Sequence, residues 1–253
     1  MKIAKILGTA ALVSTLGVQA YAAPGAKDVL TTYADIAHAG YEDSLITAKE
    51  LQAAIDALVA QPSAETFGAA KSAWLAARAP YQQTEVYRFG NAIVDDWEGK
   101  VNAWPLDEGL IDYVETGLYG EESEENPAYT ANVVANPTLV ISGETIDAST
   151  IDAALLESLH EIDDVESNVA TGYHAIEFLL WGQDLNGTGA GAGAREWTDY
   201  AAGDACTNGN CDRRGAYLKA AGDLLVSDLE WITAQWAEGG EARETVLEGD
   251  GVS

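Results

Sequence analysis

The stretch from Lys27 to Ala60 reads KDVLTTYADIAHAGYEDSLITAKELQAAIDALVA, and it decides the class of fold. Its larger apolar residues recur at the spacing of one helix face along the whole stretch. They are Leu30, Tyr33, Ile36 or Ala37, Tyr41, Leu45, Leu51, Ile55 and Leu58. The pattern predicts one long amphipathic helix, which Gln61-Pro62-Ser63 ends, and Ser63 is placed to cap the next helix.

Outward from this helix, most of the chain also has helical patterning. The predicted helices run from Ser63 to about Gly90, with a kink at Pro80, and then over about 147–160, 163–183 and 212–237, with Asp212 capping the last. Residues 91–145 are predicted to be irregular, with a small hairpin near Thr138–Ile146. The glycines of 187–193 predict a flexible connection, since no Gly-Lys-Ser/Thr follows them. The fold class is therefore all-α, a bundle of about five or six helices.

The first residues have the order of a secretory signal peptide. Lys2 and Lys5 precede an apolar run, and Ala20-Tyr21-Ala22 follows as a cleavage pattern. We expect a signal peptide at 1–22, a helical domain at 23–253 and export to the periplasm or cell envelope; a retained N-terminal anchor is the alternative. In an oxidising compartment Cys206 and Cys211 are expected to form a local disulfide, and a metal-binding pair is the alternative.

The composition excludes several classes of function. The 253 residues contain 41 Asp+Glu against 13 Lys+Arg, a net charge of -28, so nucleic acid and anionic membranes are poor partners. Two Cys exclude a Cys-rich zinc module, and three His leave little room for a site built mainly from imidazoles. Site chemistry must therefore depend on carboxylates.

Two helices carry polar residues where core residues are expected. On the second helix Trp74, Arg78, Tyr81, Glu85 and Arg88 share one face with Phe67, at spacings of three, four or seven. One interpretation of this face is a buried ion-pair network, or a solvated surface, formed by Arg78, Glu85 and Arg88. The other is that the same three residues line a site for a bound ion or ligand.

The second polar signal lies in Gly172-Tyr-His-Ala-Ile-Glu-Phe-Leu-Leu-Trp181. His174 and Glu177 are three residues apart, so an imidazole nitrogen and a carboxylate oxygen can reach one ion. The alternative is a structural His with a hydrogen-bonded Glu. Gly172 weakens the helix and can admit a close neighbour.

Two ligands do not complete a metal site, and the sequence offers carboxylates for the remainder. The candidates are Glu85, Asp96, Asp107, Glu108 and Asp112. His38 and His160 lie on ordinary helical stretches and are expected to be structural.

These motifs resemble those of the imelysin-like family, which includes the insulin-cleaving membrane protease and the iron-regulated protein A branch. The resemblance rests on Gly172 to Asp184, which contains Gly-x-His-x-x-Glu, on Trp74–Arg78 with Glu85 and Arg88, on Asn102–Tyr113, and on Cys206–Arg214. It implies an exported all-α protein of two related bundles, with a presumed metal site near their interface. This chain is shorter than such relatives, so we expect a complete first bundle and a partial second one.

Carried over by position, the resemblance makes His174 and Glu177 metal ligands. It adds Glu85 and Asp96 as further ligands, with Arg78, Arg88 and Gly172 in support. It implies a divalent or trivalent metal ion, iron before zinc, and a membrane component of iron transport as a partner.

Three functions are compatible with these residues. The first is an exported metal-binding protein of iron acquisition without turnover. The second is a zinc metallopeptidase in which Glu85 is the general base, although the chain lacks His-Glu-x-x-His. The third is a binding module for an anionic or polysaccharide ligand, using Arg78, Arg88 and exposed Trp residues.

Overall fold

The structure of the protein is a computed structural model that describes residues 23–249. The signal peptide predicted at 1–22 lies outside the described residues. The α-helices are α1 (Ala26–Ala60), α2 (Ala64–Gln83), α3 (Ala92–Asn102), α4 (Glu108–Ile111), α5 (Thr116–Tyr119), α6 (Ala153–Leu159), α7 (Gly172–Trp181), α8 (Cys211–Trp236) and α9 (Glu241–Glu248). Strands β1 (Thr138–Ile141) and β2 (Glu144–Asp147) form an antiparallel pair, at the position of the predicted hairpin. The predicted all-α fold is confirmed as a mostly helical bundle.

The long helix α1 forms the centre of the bundle and packs along both α2 and α8. Its buried face includes Ala37, which is fully buried, whereas the neighbouring Ile36 is 58% exposed. The small residue therefore occupies the inward position, because α1 approaches its neighbours closely. On α8, a β-carbon at Gly222 would lie 3.1 Å from Ile55, so glycine is used where the two helices meet.

Helix α7 packs against α2, α3 and α8 and is buried along most of its length. Trp74 of α2 lies beside this helix, and its indole Nε1 donates a hydrogen bond to the carbonyl of Tyr173 at 2.9 Å. Burial of a helix on this many sides explains why its sequence is apolar nearly all round.

Several predicted boundaries are wrong. Helices were predicted over 147–160 and 163–183, but α6 covers only Ala153–Leu159 and α7 begins at Gly172. Gly172 has a φ of +79°, a conformation that cannot continue a right-handed helix from residues before it. The second helix ends at Gln83 rather than near Gly90, and α3 lies in a region predicted to be irregular.

The predicted caps have different outcomes. Ser63 caps α2, with its hydroxyl accepting a hydrogen bond from the backbone N–H of Thr66. The last long helix begins at Cys211, with Asn210 rather than Asp212 at the cap position. Cys206 and Cys211 form a disulfide with an S–S distance of 2.01 Å, which ties the preceding loop to the first residue of α8.

A buried ion cluster joins α8 to the loops around α7. It consists of Asp112, Arg195, Asp199 and Arg214, all with side chains no more than 1% exposed. Arg214 donates to both carboxylate oxygens of Asp112, at 2.6 and 3.1 Å. Arg195 donates from Nη1 to Asp112 at 2.7 Å and to Asp199 at 3.1 Å. Two guanidinium groups face two carboxylates, so the cluster is close to neutral.

None of the described helices combines the length and the apolar character needed to cross a membrane.

Candidate metal centre

Three residues of α7 keep contact with solvent, while the other seven are buried. They are His174, Glu177 and Trp181, spaced by three and four residues, and therefore lie on one face of the helix. This face borders a cavity of about 400 Å³, here called the His174 cavity. The polar signal in the sequence thus corresponds to the one stripe of α7 that is not core.

The His174 cavity has aromatic walls and acidic polar groups. Its polar lining includes Glu108 at the start of α4 and Asp184 just after α7, together with His174 and Glu177. Trp74, Trp104, Phe178 and Trp181 contribute the aromatic walls, and Gly191–Gly193 close one side. Carboxylates in partly apolar surroundings are poorly solvated, so they favour bound cations or protons.

His174 and Glu177 contact each other directly. Nδ1 of His174 lies 2.9 Å from Oε2 of Glu177, with side chains 17% and 41% exposed. The ring of Trp104 lies against the imidazole, with ring centroids 4.9 Å apart. Within residues 23–249, Nε2 of His174 makes no hydrogen bond. In this arrangement the carboxylate of Glu177 fixes the orientation of the imidazole, and Nε2 is the ring nitrogen available for a ligand. Glu177 would have to release Nδ1 to coordinate the same ion as His174.

Glu108 is the carboxyl group whose protonation the cavity changes most clearly. Burial raises the pKa of Glu108 to about 7, against an opposing effect of Arg195, and the charges of Asp184 and Glu177 raise it further. Near neutral pH this group is therefore partly protonated in the absence of a cation.

The residue types in the cavity suit a metal ion, but the side chains are not gathered into a finished site. One imidazole nitrogen and carboxylate oxygens are ligands that iron and zinc accept. Within residues 23–249, however, no three His, Cys, Asp or Glu side chains are close enough together to hold an ion. Glu108 or Asp184 would have to rotate toward His174 and Glu177 to complete a three-ligand set.

The structure does not bring Glu85 or Asp96 to this cavity. Glu85 lies in the 3-10 turn after α2, where it accepts hydrogen bonds from Arg88 and Asn102, both at 3.4 Å. Asp96 borders a different cavity of about 420 Å³, with Lys100 and Asp228 among its other lining residues. The structure separates these two carboxylates from His174, since α3 carries Asp96 to another face of the bundle. Their role as metal ligands stays a prediction of the family resemblance.

The two arginines of the second-helix stripe have different surroundings. Arg88 forms ion pairs with Glu85, Asp95 and Glu98 at 3.2–3.4 Å, as the ion-pair alternative requires. Arg78 lies over the ring of Tyr173, 5.0 Å from its centroid, and donates to Asn102. Neither guanidinium borders the His174 cavity.

Gly172 fixes the start of α7 against α3. A β-carbon at this position would lie 2.5 Å from the carbonyl oxygen of Val101 and 2.9 Å from that of Lys100. With its positive φ, the position has two independent reasons to be glycine. Gly172 therefore positions His174 rather than contacting a ligand.

The remaining acidic and histidine candidates have structural partners. Asp107 accepts hydrogen bonds from Asn126 at 2.7 Å and Ser167 at 2.6 Å, and Asp112 belongs to the buried ion cluster. His38 lies 3.8 Å from Glu42 on α1. Nε2 of His160 lies 3.1 Å from the carbonyl of Gly99, and burial lowers the pKa of its imidazole.

The sequence named Glu108 only as one of several candidate ligands, and it gave Asp184 only as the end of the Gly172–Asp184 motif, not as a ligand. Asp184 follows the end of α7 by three residues, so its distance in sequence from Glu177 could have indicated its nearness to the site.

Comparison with known proteins gives the family. The sequence model of the imelysin family (Peptidase M75) matches residues 37–252. The chain belongs to the imelysin family. Over 60 residues it is 35% identical to iron-regulated protein A of Synechococcus elongatus, a match that covers 24% of this chain and 17% of that protein.

A solved structure supports the family's fold. It is the crystal structure of a protein described as an iron-regulated protein A precursor from Parabacteroides distasonis, with a TM-score of 0.55 and 20% identity. The likeness covers 92% of this chain and 53% of the other, so this imelysin-family chain spans about half the length of that relative. At this level of identity the comparison concerns the fold alone.

Proposed function

We propose that this imelysin-family protein is an exported, cell-envelope metal-binding protein of iron acquisition, with its ion held in the His174 cavity. The observation that carries the proposal is the meeting of His174, Glu177, Glu108 and Asp184 around one cavity. Iron is favoured over zinc because carboxylates outnumber the single imidazole in this set. The relative named iron-regulated protein A supports the iron part of the proposal, and the signal-peptide pattern of residues 1–22 supports the export part.

Electrostatics favour a cation at this position. Three carboxyl groups and one imidazole face the cavity, and the raised pKa of Glu108 shows that one carboxyl resists ionisation there. A cation offsets this repulsion, so it displaces the proton that Glu108 otherwise holds. Metal binding is therefore expected to release protons near pH 7 and to strengthen as the pH rises through 7.

Calorimetric titration with Fe²⁺, Fe³⁺ and Zn²⁺ tests the site. The His174→Ala, Glu177→Ala double variant should lose binding, because both central ligands are removed. A matched control is the His38→Ala, Glu42→Ala double variant, which removes a His/Glu pair on α1 that does not border the cavity. Equal binding by the wild type and the His174/Glu177 variant would show that the site is wrongly assigned.

Single substitutions distinguish the ligand sets. Glu108→Gln or Asp184→Asn should weaken metal binding, whereas Glu85→Gln and Asp96→Asn should leave it unchanged, since those two side chains lie outside the cavity. The reverse result would favour the ligand set carried over by position.

The structure gives less support to a peptidase that uses Glu85. A general base must reach the attacking water, directly or through one other water. Glu85 is instead held by Arg88 and Asn102 and does not border the His174 cavity. Cleavage of an unfolded peptide by the zinc-loaded protein, lost in Glu177→Ala and unchanged in Glu85→Gln, would show that peptidase chemistry occurs here with another base.

A further inference from the structure

We propose that the His174 cavity takes a ferric ion together with a small catecholate chelator, whose aromatic ring packs against Trp104. This inference rests on the proposed function, because the ion is the one assigned to the His174 cavity. It adds the chemical class of the ligand that accompanies the ion. The chain supplies one imidazole nitrogen and carboxylate oxygen, and the chelator supplies two further oxygens.

The first observation is that the side chains of the protein do not surround an ion by themselves. Within residues 23–249, no three His, Cys, Asp or Glu side chains are gathered closely enough to hold one. His174 and Glu177 are gathered, but they contact each other, with Nδ1 lying 2.9 Å from Oε2. An iron ion takes more ligands than this pair supplies, so the remaining ligands must come from water or from a second molecule.

The second observation is the size of the His174 cavity. Its volume is about 400 Å³, which lies in the range of protein cavities that bind small organic molecules. A cavity for a single water molecule needs only about 10–15 Å³. The His174 cavity therefore has room for an organic ligand in addition to an ion.

The third observation is an uncovered aromatic ring beside His174. Trp104 borders the cavity and is 71% exposed, although its ring also lies against the imidazole, with centroids 4.9 Å apart. The other indoles of the cavity are more fully used. Trp74 is only 7% exposed, and its ring lies 5.2 Å from that of Trp181, which also has Nζ of Lys71 at 5.2 Å. Trp104 is therefore the ring with the largest free surface for a ligand.

The aromatic wall and the charge of the cavity together favour a catecholate. A flat ring can pack on Trp104, and the exposed Leu75 adds apolar surface to the same cavity. Catecholate joins such a ring to two adjacent oxygens, which are donors that suit ferric iron. One catecholate leaves one positive charge on the complex, and the carboxyl groups of Glu108, Glu177 and Asp184 border the cavity that receives it. Citrate, in contrast, has no ring and neutralises the ion.

The amount of iron that the full chain retains through gel filtration tests this proposal. Fe³⁺ is supplied below saturation as its nitrilotriacetate complex, near neutral pH and without oxygen, either alone or with one equivalent of catechol. Catechol in solution competes for iron, so it would remove iron from a site that binds only the bare ion. In the wild type it should instead raise the apparent affinity for iron about tenfold, and the catecholate-to-iron absorbance should elute with the protein. Citrate should lower the retained iron.

Substitutions at Trp104 test the position of the chelator. Trp104→Ala should lose the increase with catechol, whereas Trp104→Phe should keep most of it. The ratio of iron retained with and without catechol is taken within each variant, so a change in binding of the bare ion cancels. Trp231→Ala is the matched control and should keep the wild-type ratio, because Trp231 is 46% exposed but borders the cavity of Asp96 rather than that of His174.

The outcomes separate this inference from the proposed function. Iron that is retained without catechol and lost when catechol is added would overturn the chelate and leave the metal proposal standing. A chain that retains no iron in any condition would remove both. The inference also fails if Trp104→Ala keeps the wild-type ratio, or if catechol is retained equally without iron. An unchanged ratio in the His174→Ala, Glu177→Ala variant would place the complex outside the cavity and overturn it as well.

Discussion

Replacing Glu108 by Gln gives the most direct test of the electrostatics of the His174 cavity. In the folded chain the pKa of Glu108 is about 7, above its ordinary value of 4.5. Between these two pH values the folded state holds a proton that the unfolded state releases. The contribution of Glu108 to the stability of the folded state is therefore fully present below about pH 4.5, and it is lost as the pH rises through 7. Glutamine keeps the size of the side chain and removes this titration.

The size of the effect follows from the same two values. If the whole pKa difference between 4.5 and about 7 were expressed as stability, it would change the free energy of unfolding by roughly 3 kcal/mol. Because the carboxyl group keeps some contact with solvent, we expect about 1–2 kcal/mol. The free energy of unfolding of Glu108→Gln minus that of the wild type should therefore be about 1–2 kcal/mol more positive at pH 8 than at pH 5.

Urea unfolding of the metal-free protein at pH 5 and pH 8 measures the effect as a difference between variant and wild type. Taking this difference cancels the titration of other groups, such as Asp228, whose pKa burial raises to about 6. Glu122→Gln, in the exposed acidic stretch, is the control and should show no such pH dependence. If Glu108→Gln and Glu122→Gln change identically between the two pH values, the cavity does not perturb Glu108 and the reasoning fails.

Two further predictions concern the residues that hold the site in place. Gly172→Ala should lower the free energy of unfolding by about 3 kcal/mol or more, since its methyl group meets a backbone carbonyl of α3 at 2.5 Å. Gly143→Ala, which has a positive φ but open space, should lose only about 1–2 kcal/mol in the same urea experiment; equal losses would remove the close-approach argument. Asp112→Asn should destabilise by about 3–5 kcal/mol because it leaves Arg214 buried without its carboxylate. Asp56→Asn, which breaks an exposed ion pair, should change stability by less than about 1 kcal/mol, and a comparable loss in both variants by thermal unfolding would contradict the prediction.

Helical periodicity was sufficient to predict the long elements of the fold. Helices α1, α2 and α8 each bury an apolar face along their whole length, so their pattern persists over many turns. The short helix α3 was not predicted, because its surroundings contain irregular segments and its stability depends on packing against α7, α8 and α9. The start of α7 was placed too early because a glycine with positive φ is not distinguishable from an ordinary helical glycine in sequence.

The candidate site was predictable only where its residues lie on one helix. His174 and Glu177 are three residues apart, and helix geometry alone brings them together. Glu108 and Asp184 reach the same cavity from separate segments, and the meeting of such segments depends on tertiary packing. The same dependence on tertiary packing applies to Glu85 and Asp96, which were assigned to the site by the family resemblance but lie on other segments of the fold.

The end of α7 sets the direction in which Asp184 reaches the His174 cavity. After Gly182 the chain leaves the helix, and Asp184 borders the His174 cavity while its neighbours Gln183 and Leu185 border a different cavity of about 240 Å³. Such alternation is typical of extended backbone, in which successive side chains point to opposite faces. Gly182 ends the helix with a φ of +71°, a conformation that a residue with a β-carbon rarely adopts. A substitution at Gly182 that moved the backbone would therefore displace Asp184 and weaken metal binding. Measuring metal binding by Gly182→Ala beside Asp184→Asn tests this reasoning, because unchanged binding in Gly182→Ala would show that the turn does not position the carboxylate.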